Sequence, residues 1–422
     1  MEKLNHLDYY RLPWNLADNS ISWLEPTAKC NLHCDGCYRK NEDSHKSLDV
    51  IKEELDTFCR LRKCDGISIA GGDPLLHPDI LEIVKEVKKR GLKPIINTNG
   101  VALTKELLIE LKKAGTFGFT FHVDSKQGRP HWKGKNELDL NELRYQYARM
   151  VADVGGMSCS FNSTIYEDTM QYVPGLIKWA QDNIDIVQVI VFILYRAVNN
   201  GKVDFYIGSQ KIDMGELVYN EETTERTDIK ADEIVSLIRE ENPGFNPCGY
   251  LNGSEKVDSF KWLLTGRIGN KKRIYGYMGP KSIEFVQTMY HLLYGKYLAY
   301  AAPKEAGKGR SMLLFSIFDK GMRKVAKAFL ANPLRIFTKL YYQSVMIIQP
   351  VDFLEDGRQS MCDGCPDITV WNGQLVWSCR MEEQLKFGMN AKTYPKELNI
   401  PVPMAKKEPL EVQEPVTEDI EA

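Results

Sequence analysis

Three cysteines fall within eight residues, Cys30, Cys34 and Cys37, spaced C-x3-C-x2-C and followed at once by Tyr38. Three thiolates on one tight loop suit a [4Fe–4S] cluster whose fourth iron stays open to a small molecule. A structural zinc site asks for four ligands, usually as two C-x2-C pairs, and leaves no vacancy. This loop offers one such pair and an offset partner, so zinc is the weaker reading. A second group, Cys362, Cys365 and Cys379, lies near the C-terminus, with residues 370–377 between its members reading as a hairpin that turns at Asn372-Gly373. Three readings stand for it: a second [4Fe–4S] cluster, a zinc site, or ordinary cysteines. The fourth ligand of such a cluster is a non-cysteine group, an open position or Cys248. Cys59, Cys64 and Cys159 sit in helix or strand patterns and read as packing residues.

Polar residues gather where apolar runs end. Residues 66–70 lead into Gly71-Gly72-Asp73-Pro74. Paired glycines let a ligand lie against the backbone, and Asp73 adds a carboxylate able to accept from an ammonium group. Residues 94–98 lead into Asn97-Thr98-Asn99-Gly100, whose short polar side chains suit hydroxyls or a carboxylate. His122 and Asp124 close another run, where they either touch substrate or satisfy each other.

The elements that must position these groups alternate over the first 200 residues. Strand patterns at 21–25, 66–70, 94–98, 117–123, 158–165 and 186–194 are separated by helical ones at 48–62, 78–90, 104–114, 140–154 and 172–183. Strands and helices in strict alternation indicate parallel βαβ units with right-handed crossovers. Six such units predict an α/β fold, a partial (β/α)6 TIM-like barrel with its chemistry at the C-terminal strand ends. The expected layout is a lead-in over 1–19, the barrel over 20–199, a helical insertion or cap over 200–345, a cysteine-rich extension over 346–392 and a disordered tail over 393–422. Within the insertion, 231–239, 282–298 and 313–330 read as helices, and 282–298 also looks like the wall of a greasy pocket. Residues 344–349 read as a further strand.

On these residues the chain resembles the radical S-adenosylmethionine (radical SAM) superfamily, through Cys30, Cys34, Cys37 and Tyr38 and through Gly71-Gly72-Asp73-Pro74, which stands where the family has Gly-Gly-Glu-Pro. The resemblance covers about residues 20–195. It implies a [4Fe–4S] cluster on the three cysteines that chelates S-adenosylmethionine and cleaves it reductively to a 5′-deoxyadenosyl radical. Tyr38 would pack near the adenine, and Asn162 and Ser163 would join Asn97, Thr98 and Asn99 in holding the cofactor. Trp23-Leu24-Glu25-Pro26, Gly71–His77 and Phe121-His122-Val123-Asp124 look like the hopanoid-type adenosyl-transferring members, which act on a polycyclic isoprenoid lipid. The second cysteine group resembles the first half of a SPASM or twitch extension. An apolar, isoprenoid or lipid-like substrate is therefore expected, with a flavodoxin- or ferredoxin-type electron donor. The alternatives are a SPASM-type peptide or protein maturase and a non-catalytic iron–sulfur or zinc protein.

Composition bounds the partners. A net charge of −2 over 422 residues argues against nucleic-acid binding, which needs a concentrated positive excess. Ten cysteines are too sparse for a disulfide scaffold, and the first eleven residues are polar, so the expected compartment is the reducing cytoplasm. One segment stands apart: between 308 and 339 the only acid is Asp319, against Lys308, Arg310, Lys320, Arg323, Lys324, Lys327, Arg335 and Lys339, interleaved with bulky apolar residues. It reads either as a helix packed on the barrel or as a peripheral membrane contact.

Overall fold

The computed structural model describes residues 3–197, 203–215, 217 and 226–396. A short strand β1 (Tyr10–Arg11) precedes β2 (Ile21–Thr27). The alternation then runs α1 (Leu48–Leu61), β3 (Gly66–Gly71), α2 (Ile80–Lys89), β4 (Lys93–Thr98), α3 (Lys105–Ala114), β5 (Gly118–His122), α4 (Asn141–Val154), β6 (Ser158–Ile165), α5 (Val173–Asp182) and β7 (Val189–Leu194). Local signals explain the boundaries. Ser47 and Thr104 cap α1 and α3 through their hydroxyls, and Gly115 ends α3 in the left-handed region at φ +115. Strands β2 to β7 pair side by side, all parallel, as the sequence predicts. Their outward residues, among them Leu24, Ile67, Ile69, Ile96, Phe119, Phe121 and Phe161, form one core with the helices.

The expectation of a purely helical stretch over 200–345 is not met. That region supplies β8 (Val203–Ile207), β9 (Gln210–Ile212), α6 (Ala231–Glu241), β10 (Gly249–Leu251), β11 (Trp262–Asn270) and β12 (Arg273–Tyr277) before α7 (Pro280–Tyr294), α8 (Pro303–Ala306) and α9 (Lys320–Leu330). Strand β13 (Tyr341–Ile348) adds a seventh parallel strand beside β7, then β11 joins it antiparallel, β10 follows, and β1 closes the far edge. The helix read over 313–330 is broken, because the Asp319 side chain caps α9 by accepting from Met322 N and leaves a 3-10 turn at Ser311–Ile317.

The C-terminal part adds β14 (Asp352–Phe353), β15 (Gln359–Ser360), β16 (Ile368–Trp371), β17 (Gln374–Trp377), α10 (Met381–Phe387) and β18 (Lys392–Pro395). The hairpin β16–β17 turns at Asn372 and Gly373, both with positive φ, as the Asn-Gly pair requires. Strand β18 pairs with β8, so residues 393–395 belong to a sheet and not to the tail expected there; Thr393 Oγ1 also donates to Gly357 O at 2.6 Å. Residues 397–422, the rest of that tail, lie outside the described residues. No described helix is long and apolar enough to cross a membrane.

The cap is also not where a lid over the chemistry would be. Tyr290 OH donates to Asp65 at 2.9 Å, His291 meets Asp18 at 2.7 Å, and Lys93 Nζ donates to Tyr300 O at 3.1 Å. Asp18, Asp65 and Lys93 stand at the N-terminal ends of β2, β3 and β4. Residues 280–300 therefore close the barrel end opposite the cysteine loop. They do not form the wall of a pocket above it.

Candidate active site

Strand β2 delivers the chain into the cysteine loop, which returns on itself. Ala28 N donates to Ser44 O and Lys46 N to Pro26 O, closing the neck, while Asn41 braces Cys30 from both sides of its peptide at 2.9 and 3.1 Å. Between Cys34 and Cys37 the turn passes Gly36 at φ +64, where an added Cβ would sit 2.5 Å from the Tyr195 ring. Burial pushes the thiols of Cys30, Cys34 and Cys37 up, and Cys34 is pushed further by the nearby Asp124, Cys37 and Cys30. The three sulfurs thus act on one another within one loop. Among the described residues no three His, Cys, Asp or Glu side chains converge as a mononuclear metal site requires. A cluster that binds each thiolate through a different iron does not ask for such convergence.

Asp73 is held by a network of internal hydrogen bonds. Its carboxylate is fully buried and accepts from Thr98 Oγ1 at 3.0 and 2.8 Å, from Asn99 N at 2.9 Å and from Leu75 N at 3.0 Å. Those bonds tie it to β4 and to its own turn inside the protein. Its short side chain also caps the turn at Pro74–Leu76. The glycines serve packing as well. A Cβ at Gly71 would meet Thr27 O at 2.4 Å, and one at Gly72 would meet Lys29 O at 2.2 Å. The Gly-Gly-Asp-Pro turn is thus pressed against the root of the cysteine loop, with Gly72 N and Asp73 N donating to Thr27 O and Lys29 O.

Of the polar residues on β4 to β6, alternation sends some inward and others out. Ile96, Phe119, Phe121 and Phe161 face the helices, which turns Asn97, Thr120, His122, Ser160 and Asn162 to the lumen. Asn97 Nδ2, Ser160 Oγ and Asn162 Oδ1 are buried with no hydrogen-bond partner. Orphaned polar atoms on one inner wall mark a space that water or a ligand must fill. Asn99 reaches the loop directly, its Nδ2 lying 2.7 Å from Asn31 Oδ1 and 3.6 Å from Cys30 Sγ. Thr98 and Ser163 are engaged elsewhere. Thr98 donates to Asp73, and Ser163 is turned outward, between Val123 O at 2.8 Å and Arg144 at 3.1 Å.

His122 and Asp124 do satisfy each other, at 2.8 Å, with Thr164 Oγ1 3.1 Å from the same imidazole nitrogen. Burial would raise the Asp124 carboxyl, but the His122 contact and the backbone N–H groups of Lys126 and Thr164 hold it below the ordinary range. Behind this loop lies a fully buried ion pair, Arg144–Glu137 at 2.7 Å. Glu137 Oε1 accepts from Ser125 N at 2.6 Å, and Arg144 donates to Val123 O at 2.7 Å, so the pair fixes the turn that carries Asp124.

A polar cluster beside the third cysteine escaped the sequence reading as a unit. Trp23 Nε1 and Tyr38 OH donate to Glu25 at 3.1 and 3.2 Å, and Arg39 bridges Glu25 at 3.4 Å and Glu382 at 2.9 Å. Tyr38 is thereby committed to the wall of the site. Glu382 belongs to α10, three residues beyond Cys379, and this ties the C-terminal extension to the first cysteine loop. Only the Arg that follows Cys-Tyr offered a local hint, since its partner lies some 340 positions away.

The extension fills the seam between the two sheet edges, β1–β10 on one side and β2 on the other. Cys362 bridges to Gly253 beyond β10, while Arg62, at the end of α1, donates to Cys365 O at 2.7 Å and Ile21 O at 3.1 Å. The Cys362 thiol is held below its usual range by its hydrogen bond with Cys365, against burial, with Lys261 adding to the effect; Cys365 is pushed up by the same hydrogen bond. Burial, then the charge of Cys362, pushes Cys379 up to about 12. Asp367 stands with them, its backbone carbonyl accepting from Ser378 N at 3.1 Å. Cys248 is buried in an apolar cluster against which Cys362 also packs, and its thiol donates to Leu264 O at 3.4 Å.

Comparison with known proteins agrees with this construction. Residues 24–155 match the radical SAM superfamily. The chain is 36% identical over 106 residues to a tungsten-containing aldehyde ferredoxin oxidoreductase cofactor-modifying protein of Pyrococcus furiosus, covering 24% of this chain and 30% of that protein. It is 28% identical over 171 residues to a probable GTP 3′,8-cyclase of Methanocaldococcus jannaschii, covering 40% and 57%. An AdoMet-dependent heme synthase of Methanosarcina barkeri is 30% identical over 118 residues, covering 27% and 34%. The match thus spans less than two thirds of each of these relatives. The cysteine loop, the glycine turn packed on its root and the matched barrel strands place residues 24–155 of this chain in the radical SAM superfamily, enzymes that use a [4Fe–4S] cluster and S-adenosylmethionine and need a reductant and a substrate.

Proposed function

We propose that the chain holds a [4Fe–4S] cluster on Cys30, Cys34 and Cys37, binds S-adenosylmethionine in the adjoining lumen, and acts on an apolar, isoprenoid or lipid-like substrate. The observation that carries the substrate class is the two-sided lumen. On β7 the outward residues Ile190 and Phe192 belong to the helix-side core, so Val189, Val191 and Ile193 point to the lumen, whereas Met346 and Ile348 of β13 turn from that core onto a second apolar cluster with Leu12, Leu251 and Trp262. One inner wall is apolar, and the wall on β4 to β6 is polar with orphaned donors and acceptors. The local likeness to hopanoid-type enzymes favours the same class.

The bound cofactors supply one electron and a carbon-centred radical at the 5′ position of the adenosyl group. The chain's own residues orient and exclude water. Asn99 steadies Cys30, Asn97 and Asn162 offer the unpaired amide atoms for polar parts of the cofactor, and the Trp23–Glu25–Tyr38–Arg39 cluster keeps the wall next to Cys37 closed. A flavodoxin- or ferredoxin-type protein is the proposed electron donor.

Cys362, Cys365 and Cys379 are proposed to hold a second [4Fe–4S] cluster, a reading supported by the hydrogen bond between Cys362 and Cys365 and by the effect of the Cys362 charge on Cys379. Anaerobic reconstitution should then load about eight irons per chain, falling to about four in Cys365→Ala with Cys379→Ala. A native count of about four would remove the second cluster. In the same preparation, a polyisoprenoid lipid extract should raise 5′-deoxyadenosine formation; stimulation by peptides alone would overturn the lipid assignment.

A further inference from the structure

Helix α7 is built the wrong way round for a water-facing surface. Three of its polar residues turn to the protein, Gln287 donating to Leu298 O at 3.2 Å, Tyr290 to Asp65 and His291 meeting Asp18, while Lys281, Glu284 and Thr288 stay exposed. Its exposed stripe is Phe285, Met289, Leu292 and Leu293, spaced i, i+4, i+7 and i+8. The stripe continues onto the neighbouring turns, since Phe285 packs its ring on Phe315 and Phe318. There Leu314 and Ile317 stand exposed, as do Leu330 at the end of α9 and Leu334 and Phe337 beyond it, with Ile317 at 80% and Phe337 at 85% exposure. The Arg310 guanidinium donates to Thr338 O at 2.8 Å and Arg335 to Ala328 O at 2.6 Å, which holds these turns together as one surface.

Cations outnumber acids around this apolar surface, where Glu284 and Glu305 are exposed and Glu305 pairs with Lys308 at 2.9 Å. Helix α9 buries Met322, Val325 and Phe329 and shows Lys320, Arg323, Lys324 and Lys327 to solvent. The only acid of the run, Asp319, is buried and spends its carboxylate on Gly279 N, Ser282 N and Met322 N. An exposed apolar patch beside the four exposed cations of α9 matches the interfacial zone of an anionic bilayer, where aromatic and aliphatic side chains enter among headgroups that attract the lysines. A second copy of the chain would bring the same cations against themselves. We infer that this end of the barrel docks on an anionic phospholipid bilayer. The docked face is the one carrying Asp18, Asp65 and Lys93, so the cysteine loop points away from the lipid, and the contact is a tether independent of the substrate assignment.

The test is flotation of the full chain with phosphatidylcholine vesicles, alone and mixed with phosphatidylglycerol. The chain should float with the anionic mixture at low salt, stay behind with neutral vesicles, and release at high salt. Lys324→Glu with Lys327→Glu, and separately Leu334→Glu with Phe337→Glu, should each lower binding about tenfold while leaving thermal unfolding unchanged, because all four side chains are exposed. Absence of binding to the anionic mixture, or variants that float like the native chain, would overturn the inference. So would a native dimer in solution that the Leu334 and Phe337 variant converts to monomer without any vesicle binding.

Discussion

Glu137→Ala should destabilise the fold by about 3–5 kcal/mol, since it leaves the Arg144 guanidinium charged and unpaired in a fully buried place. The loss falls on the site too. Glu137 accepts from Ser125 N, and Arg144 holds Val123 O and Ser163 Oγ, so the turn presenting Asp124 to His122 loosens with the pair. Chemical denaturation should show a lower midpoint with an unchanged slope. Replacing both partners, Arg144→Met with Glu137→Leu, should recover much of the stability, because removing a buried pair together avoids the orphaned charge. A single variant as stable as the native chain would mean that water reaches this pair.

Gly36→Ala should empty the first cysteine loop of iron. The new methyl would stand 2.5 and 2.8 Å from two Tyr195 ring carbons and 3.2 Å from Tyr166 OH, in a backbone conformation alanine adopts at a cost of about 1–2 kcal/mol. The turn must then open, and Cys34 and Cys37 separate. Iron at this site and 5′-deoxyadenosine formation should fall together by at least about tenfold, as expected when the support of metal ligands is lost. Adding Tyr195→Ala removes the clash but not the φ preference, and should restore part of both. A Gly36→Ala protein with full iron content would show that the loop closes without this packing.

The barrel strands were legible because β2 to β7 alternate with capped helices, and the Asn372-Gly373 hairpin because that pair dictates its turn. Strand β11 was not. Its sequence puts Gly266, Arg267 and Gly269 where an apolar alternation would be read, and only the fold explains them: Arg267 is buried, donates to Gln343 at 2.8 Å and to Ile177 O at 3.0 Å, and burial lowers its guanidinium to about 10. The site was legible as cysteines and motif ends, and less so as partners. Asp73 carries the right chemistry for an ammonium contact, and its partners Thr98 and Asn99 arrive from the next strand. The cap was misjudged for the same reason: α7 finds Asp18 and Asp65 more than two hundred positions back, and no local pattern records which end of a barrel a helix will close.

Cys30, Cys34 and Cys37 are proposed to hold the cluster at which S-adenosylmethionine is cleaved. The most direct measurement is 5′-deoxyadenosine formed by the anaerobically reconstituted full chain with S-adenosylmethionine and a strong reductant, set beside Cys34→Ala. The native chain should form it, and Cys34→Ala should fall to background while retaining the iron of the C-terminal group. A native chain that carries its iron yet forms no 5′-deoxyadenosine, or a Cys34→Ala protein that forms it at the native rate, would contradict the account.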